Sequence, residues 1–462
     1  VPATGAEDAA GAFVSFSLSD ASPVLWPLVA ILTAASLYLR WIRKSSSMFD
    51  VLELGVFYPV LVLMYAIFPI LSFLLGDFSF SPLSDIRLFQ AQPTPEGMAP
   101  ICWYYVLYFC AFAVSYAWMR GRSAATVVRI ETPPRYTLAA LIVSLLLIEA
   151  TFLIVKIAYG IAGPETYNDT YLMYQGLPRV LQQILNHFNG WTFTLEILIM
   201  TLLVMDFRKY RFWIVGWVAA QLLSVFFVGI GSRTNLLVPM ASLVACYHFG
   251  VRRFTVRATL ALGGAVMLLF LALGIARSVQ EVDSDAGLNP FGYANEFESI
   301  YANAYEVSQL EAGGETKAVF PDIYFADVVS VIPQQVVPFE KLDVASWYVN
   351  TFYPDWADSG GGFAFGVIPE SIVGLGWIDV LWRGAALGFL FAWLHRRFTT
   401  STQSLWRFSF HLWVLIFSYQ CFRAGTFALV PRVFYQFVLV FIWIRVFTAV
   451  IAHLASRRTA TA

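Results

Sequence analysis

Stretches of about twenty apolar residues recur along the chain between short connectors, and this repetition constrains the fold more than any other feature. In hydrocarbon the backbone must satisfy its own N–H and C=O groups, and a helix needs roughly 20 residues to cross. The stretches fall near 23–40, 51–75, 99–118, 136–158, 184–206, 212–230, 234–250, 258–276, 366–394, 408–424 and 430–450. They predict an all-α polytopic membrane helix bundle of about eleven transmembrane helices, with one long, partly helical external loop. Residues 1–276 would hold helices 1–8, residues 277–362 the loop, and residues 363–462 helices 9–11. A content of 59% apolar against 13% charged residues favours one membrane body over two or three soluble domains. A net charge of −1 argues against a nucleic-acid partner, which would select a basic face.

Positive residues near span ends stay on the cytoplasmic side. Alternate connectors are basic: Arg40/Arg43/Lys44, Arg120/Arg122/Arg129/Arg135, Arg208/Lys209/Arg211, Arg252/Arg253/Arg257, Arg396/Arg397/Arg407 and Arg457/Arg458, eighteen of the 29 Lys and Arg. This pattern predicts an N-terminus outside and a C-terminus in the cytoplasm. The opposite face then carries connectors at 76–98 and 159–183 and the large segment at 277–362.

The first twenty residues are acidic and small, unlike a cleavable signal peptide, so the first span would direct its own insertion. Cys102, Cys110, Cys246 and Cys421 fall within or at the ends of apolar stretches without ligand-like spacing, which predicts packing rather than zinc or disulfides. No Walker loop, dinucleotide fingerprint or HExxH motif occurs, and no metal or cofactor is expected.

Four arginines break the positive-inside pattern: Arg233, Arg277, Arg423 and Arg432, all at or near predicted external span ends. An arginine at mid-membrane costs roughly 2.5 to 3.5 kcal/mol, less near an interface, so the placement asks for a reason. One reason is an anion, because guanidinium grips phosphate oxygens in pairs and several such forks suit a diphosphate. The other is snorkelling to lipid headgroups. Arg233 follows the small-residue turn Gly229–Ser232, where backbone N–H groups and a helix start could face an anion. Arg423 and Arg432 flank the turn Ala424–Pro431.

From Ser278 to Gly361 the chain carries fourteen Asp or Glu against Lys317 and Lys341, together with many aromatic residues. Aromatic faces stack on sugar C–H groups and carboxylates accept hydroxyl hydrogen bonds, although a solvated acidic cap has the same composition. Beyond it, Glu370 sits about one turn inside an external boundary, where a carboxylate must be paired or used. Glu149 and Lys156 share a face of the fourth span and Glu196 lies mid-span in the fifth, as relay groups or as an inter-helix charge pair.

The run Gly360–Trp377, glycine-rich then Pro369-Glu370-Ser371 and Gly374-Leu375-Gly376-Trp377, resembles the loop re-entry segment of the oligosaccharide repeat-unit polymerase family, the O-antigen-polymerase-like proteins. Gly231-Ser232-Arg233 and Arg423-Ala424-Gly425 look like its other short signatures. The resemblance spans most of the chain as topology and about thirty residues as motifs. It implies a bacterial inner-membrane glycosyltransferase joining repeat units outside the cytoplasm. Donor and acceptor would be oligosaccharides on undecaprenyl diphosphate, with no nucleotide sugar. A chain-length regulator protein is a partner implied by the resemblance alone.

In that chemistry Arg233, Arg277, Arg423 and Arg432 would stabilise the leaving diphosphate, with Arg233 and Arg277 counted as catalytic. A base must take the acceptor proton. Related ligases use an external histidine, and here only His187 is predicted on that side, so Glu370 and His187 share the candidacy. A lipid-linked glycan transporter and an O-antigen ligase-like transferase remain alternatives.

Overall fold

The computed structural model describes residues 21–45, 50–74, 94–121, 128–159, 176–228, 233–265, 268, 296–316, 319–333, 336–358, 362–399 and 402–460, with the backbone alone for Lys156, 222–228, 233–236, Glu296, Asp327 and 458–460. The described residues are helical, and the one extended contact among them is an isolated parallel bridge between Ile130 and Gln403. The N-terminal part runs α1 (Ser22–Ser45), α2 (Leu54–Leu74), α3 (Pro95–Arg120), α4 (Thr137–Ala158), α5 (Arg179–Met205), α6 (Phe207–Val228) and α7 (Arg233–Gly250). The expected loop contributes α8 (Glu296–Gly313), α9 (Ala326–Val329), α10 (Val344–Phe352) and α11 (Pro354–Asp358). The C-terminal part is α12 (Val367–Val373), α13 (Trp377–Thr399), α14 (Leu405–Phe417), α15 (Gln420–Arg423) and α16 (Leu429–Arg432), then a π-helical stretch at Val433–Val438 and α17 (Leu439–Ala460).

Seven of the described helices are long and apolar enough to cross a membrane: α1 to α5, α13 and the continuous Leu429–Arg457. Among the described residues seven of the expected eleven are of that kind. The stretch at 366–394 is two helices, because Gly374 and Gly376 separate α12 from α13. A Cβ on Gly374 would lie 2.1 Å from Asp379 Oδ2, so only glycine lets the chain fold back over that carboxylate. The stretches at 234–250 and 408–424 correspond to the shorter apolar helices Leu237–Gly250 and Leu405–Phe417. The stretch at 258–276 lies largely outside the described residues.

Helix ends follow local chemistry. Thr94 caps α3, its hydroxyl accepting from the Gly97 N–H at 3.1 Å, with Pro95 in the first turn. Arg43 and Lys44 close α1, and Arg396 and Arg397 close α13, where cations complement the helix dipole.

The tightest helix pair is α3 with α13. Gly384 and Gly388 are one turn apart on α13, and Cβ atoms there would approach Tyr108 O to 2.6 Å and Phe112 O to 2.4 Å. This is small-xxx-small packing, in which backbones meet because lipid gives no hydrophobic drive to hold helices together. Ser115 adds a hydrogen bond across the contact, its Oγ donating to Ala385 O at 2.8 Å.

Part of the loop belongs to the packed core. In α8, Ile300, Tyr301, Asn303 and Glu306 are fully buried. Tyr301 OH donates to Met98 O at 3.0 Å, Asn303 Nδ2 donates to Ala364 O at 2.8 Å, and Glu306 Oε2 accepts from the hydroxyls of Tyr348 and Tyr353. Acidic and aromatic residues here satisfy one another, and α8 packs between α2, α3 and α12.

At the other end of the bundle, two carboxylates ahead of α2 tie four helices together. Asp50 Oδ2 pairs with Arg253, while its Oδ1 lies 3.0 Å from His248 Nε2 and accepts from the Leu52 N–H. The His248 ring is held from its other side by the Phe254 backbone nitrogen, 3.1 Å from Nδ1. Glu53 takes a two-pronged contact from Arg120, a hydrogen bond from Tyr116 OH at 2.8 Å, and sits 3.7 Å from His395 Nε2. Burial pushes both carboxyls up. For Asp50 the hydrogen bond and charge of His248 and the charge of Arg253 outweigh it, and for Glu53 the charge of His395 and the fork of Arg120 do so, leaving both below the ordinary carboxylate value.

Because these native-state values lie below the unfolded ones, the carboxylates stabilise the fold fully above about pH 4 and lose that contribution as pH falls through the lowered values. Thermal unfolding in detergent should therefore shift steeply downward below about pH 4. Asp50→Asn should be less stable at neutral pH and show a shallower acid slope; equal slopes would refute the assignment. Gly388→Leu should cost about 1–3 kcal/mol by overpacking against Phe112. Gly216→Leu, with nothing within 4 Å of its Cβ position, should be neutral in the same melts.

Candidate functional site

The break between α12 and α13 builds the most unusual polar cluster near the loop end of the bundle. Gly366, with φ of 90°, turns the chain into α12, and a Cβ there would collide with Ile300 of α8. Glu370 thereby points inward, fully buried. Arg383, two turns into α13, is 1% exposed, and its Nη1 lies 2.7 Å from Glu370 Oε1. Its Nε lies 3.0 Å from Oδ2 of Asp379, one turn earlier on the same helix. Two carboxylates thus bracket one guanidinium, as burial of the charge demands.

The cluster reaches the turn after α15. The Thr426 N–H donates to Glu370 Oε2 at 3.0 Å, and Arg383 Nη1 donates to Thr426 Oγ1 at 2.9 Å. Both Glu370 oxygens are therefore engaged, one by a cation and one by backbone. Trp382 Nε1 donates to Asp379 Oδ1, and Trp382 stacks on Phe427 with ring centres 5.7 Å apart. Arg383 also lies over the rings of Trp382 and Tyr324, at 5.1 and 5.6 Å. Arg383 Nη2 is buried without a hydrogen-bond partner among the described residues.

Glu370 grips, through Thr426, the turn that the half-buried Arg423 and Arg432 flank in the sequence. His187 projects from α5 onto Tyr435, with ring centres 4.8 Å apart, one turn beyond Arg432. Trp191 Nε1 donates to Tyr435 O at 2.8 Å, so α5 is fastened to the π-helical stretch that carries this contact. Single π turns inside helices recur at functional positions. Arg233 begins α7, but its side chain lies outside the described residues, as does Arg277 altogether. Among the described residues no group of three or more His, Cys, Asp or Glu could hold a metal ion.

Arg383 and Asp379 were not among the sequence candidates. The signal was present: an Asp and an Arg four residues apart in an apolar stretch, within reach of Glu370 only if the glycines at 374 and 376 fold the chain. Glu196 has a partner of its own, Gln221 Nε2 donating to its Oε1 at 2.9 Å across α5 and α6. Comparison of the chain with protein-family models, with curated proteins and with solved structures returned no match.

Removing one member of a buried pair strands the other, at a cost of about 3–5 kcal/mol. Glu370→Ala should therefore lower thermal stability severely. Glu370→Gln should lose less, since its amide oxygen still accepts from Thr426. Equal melting temperatures for wild type and Glu370→Ala would show that Asp379 alone suffices to hold Arg383.

Proposed function

We propose that this membrane protein is a glycosyltransferase that polymerises undecaprenyl diphosphate-linked oligosaccharide repeat units at the Arg423 end of the bundle, making a surface or O-antigen-type polysaccharide. The observation that carries the reading is the pair of half-buried arginines, Arg423 and Arg432, flanking a turn that is tied through Thr426 to the buried Glu370–Arg383 pair. A diphosphate leaving group gathers negative charge, and preorganised cations stabilise it without reorganising at the moment of reaction. The motif resemblance at Gly360–Trp377 and Arg423–Gly425 supplies the substrate class.

In the proposed step an acceptor sugar hydroxyl oxygen attacks the donor's anomeric carbon. The bond from that carbon to the diphosphate oxygen breaks, and its electron pair leaves with the lipid diphosphate. Arg423 and Arg432, with Arg233 and Arg277, receive that charge. The hydroxyl proton passes to a base. Glu370 has both oxygens committed, so its part here is to position Arg383 and the 424–428 turn, and His187 takes the base role. Loop aromatics that stay exposed, Phe325 and Phe339 among them, offer faces for sugars. The proposed setting is the bacterial inner membrane with the N-terminus periplasmic and the C-terminus cytoplasmic, and a chain-length regulator as partner.

A second reading, transport of a lipid-linked glycan, draws on the buried Glu196–Gln221 contact within the spans, where polar groups mark transport paths in other proteins.

The test is product analysis after reconstitution of the purified protein with a lipid-diphosphate-linked repeat unit, in EDTA and without nucleotide sugar. Wild type should yield a ladder of lengthening glycans. Arg423→Ala and Arg233→Ala should yield none while melting like wild type. A normal ladder from both variants would refute the diphosphate role, and unchanged substrate that crosses the bilayer would establish the transporter.

A further inference from the structure

A second feature lies at the end of the bundle where the Asp50 and Glu53 pairs sit. It is an open-sided cleft of about 520 Å³ between α6 and α7, with Phe207, Ile214, Val218, Leu243, Val244 and Tyr247 in its walls. Arg211 is the one charged residue of its lining. That size is within the roughly 300–1,000 Å³ of ordinary ligand sites. A mostly apolar trough with a single guanidinium fits an amphiphile whose chain is apolar and whose head is an anion.

The surroundings favour the same ligand. Arg208 and Lys209 in the first turn of α6, and Arg252 and Arg257 beyond α7, are all exposed, against Asp206 as the neighbouring acid. Arg253 does not add to this rim, because it turns inward to Asp50. Lys209 lies over the Tyr210 ring at 4.9 Å and Arg211 over Phe212 at 4.8 Å, the pairing of cation and aromatic that suits a headgroup level. A smaller hollow of about 330 Å³ near the same end, lined by Met119, Trp393, Arg396 and Arg397, repeats the chemistry.

We propose that the α6–α7 cleft binds one anionic phospholipid, its acyl chain in the apolar trough and its phosphate on Arg211. The chain fills space that no described side chain occupies, and the phosphate is held by charges that would otherwise crowd one another. This proposal rests on membrane placement and is independent of the glycosyl-transfer reading.

The experiment is native mass spectrometry of the full chain, delipidated and then offered phosphatidylglycerol or phosphatidylcholine of identical acyl chains. Wild type should retain one phosphatidylglycerol, at roughly fivefold lower concentration than phosphatidylcholine, the factor expected for one basic residue near a membrane surface. Arg211→Ser should erase that preference. Leu243→Trp, which fills the trough and leaves Arg211 in place, should also lose the bound lipid; Val218→Trp from the facing helix repeats the test should Leu243→Trp fail to fold. Equal retention of the two lipids by wild type would overturn the proposal. So would an unaltered preference in Arg211→Ser, or wild-type retention in a folded trough-filling variant, which would mark surface charge alone.

Discussion

A guanidinium inside an apolar bundle is stable only where its charge is answered, and the loop end of this protein is organised around that requirement. Arg383 is answered from two directions, by Asp379 on its own helix and by Glu370 on the short helix before it. The second contact needs the chain to reverse at Gly374–Gly376, which places α12 beneath α8 and brings its carboxylate to the turn after α15. The desolvation penalty of three buried charges exceeds what any one pair returns, so the arrangement persists because hydrogen bonds from Thr426 and Trp382 meet remaining lone pairs. A rigid buried network beneath half-buried arginines is a means of fixing their direction, which any site for a charged leaving group requires.

The opposite end uses the same physics for a different purpose. Asp50 and Glu53 stand ahead of α2, and their partners come from the ends of α3, α7 and α13. Closely packed backbones between the two ends, at Gly384 and Gly388 against α3, give the bundle a rigid spine to which both charge clusters are attached. The helices α6 and α7 lie outside that spine. Their looser contact leaves an apolar cleft that no described side chain fills.

Much of this was legible in the residue order. The apolar stretches located α1 to α5 and the last helix to within a few residues, because a span's length and composition are set by the bilayer whatever its neighbours are. The prominence of Glu370 followed from the cost of an unpaired carboxylate, and the flanking of a turn by Arg423 and Arg432 from simple adjacency. The loop's composition suggested a sugar-binding surface with a solvated cap as the alternative, and neither describes Glu306, whose carboxylate is used by Tyr348 and Tyr353. That pairing joins positions about forty residues apart, which no local pattern records.

The sequence by itself determined that the chain is an all-helical membrane protein, where its charges are concentrated, and which residues are too costly to be idle. Those properties depend on the transfer of each segment from water to hydrocarbon, which is local. Only the tertiary structure decided that Arg383 is the partner of Glu370, that one expected span is two helices, and that α8 is part of the core. Each of those depends on distances between segments remote in sequence, and on backbone approaches that glycine permits without announcing which helix will come close.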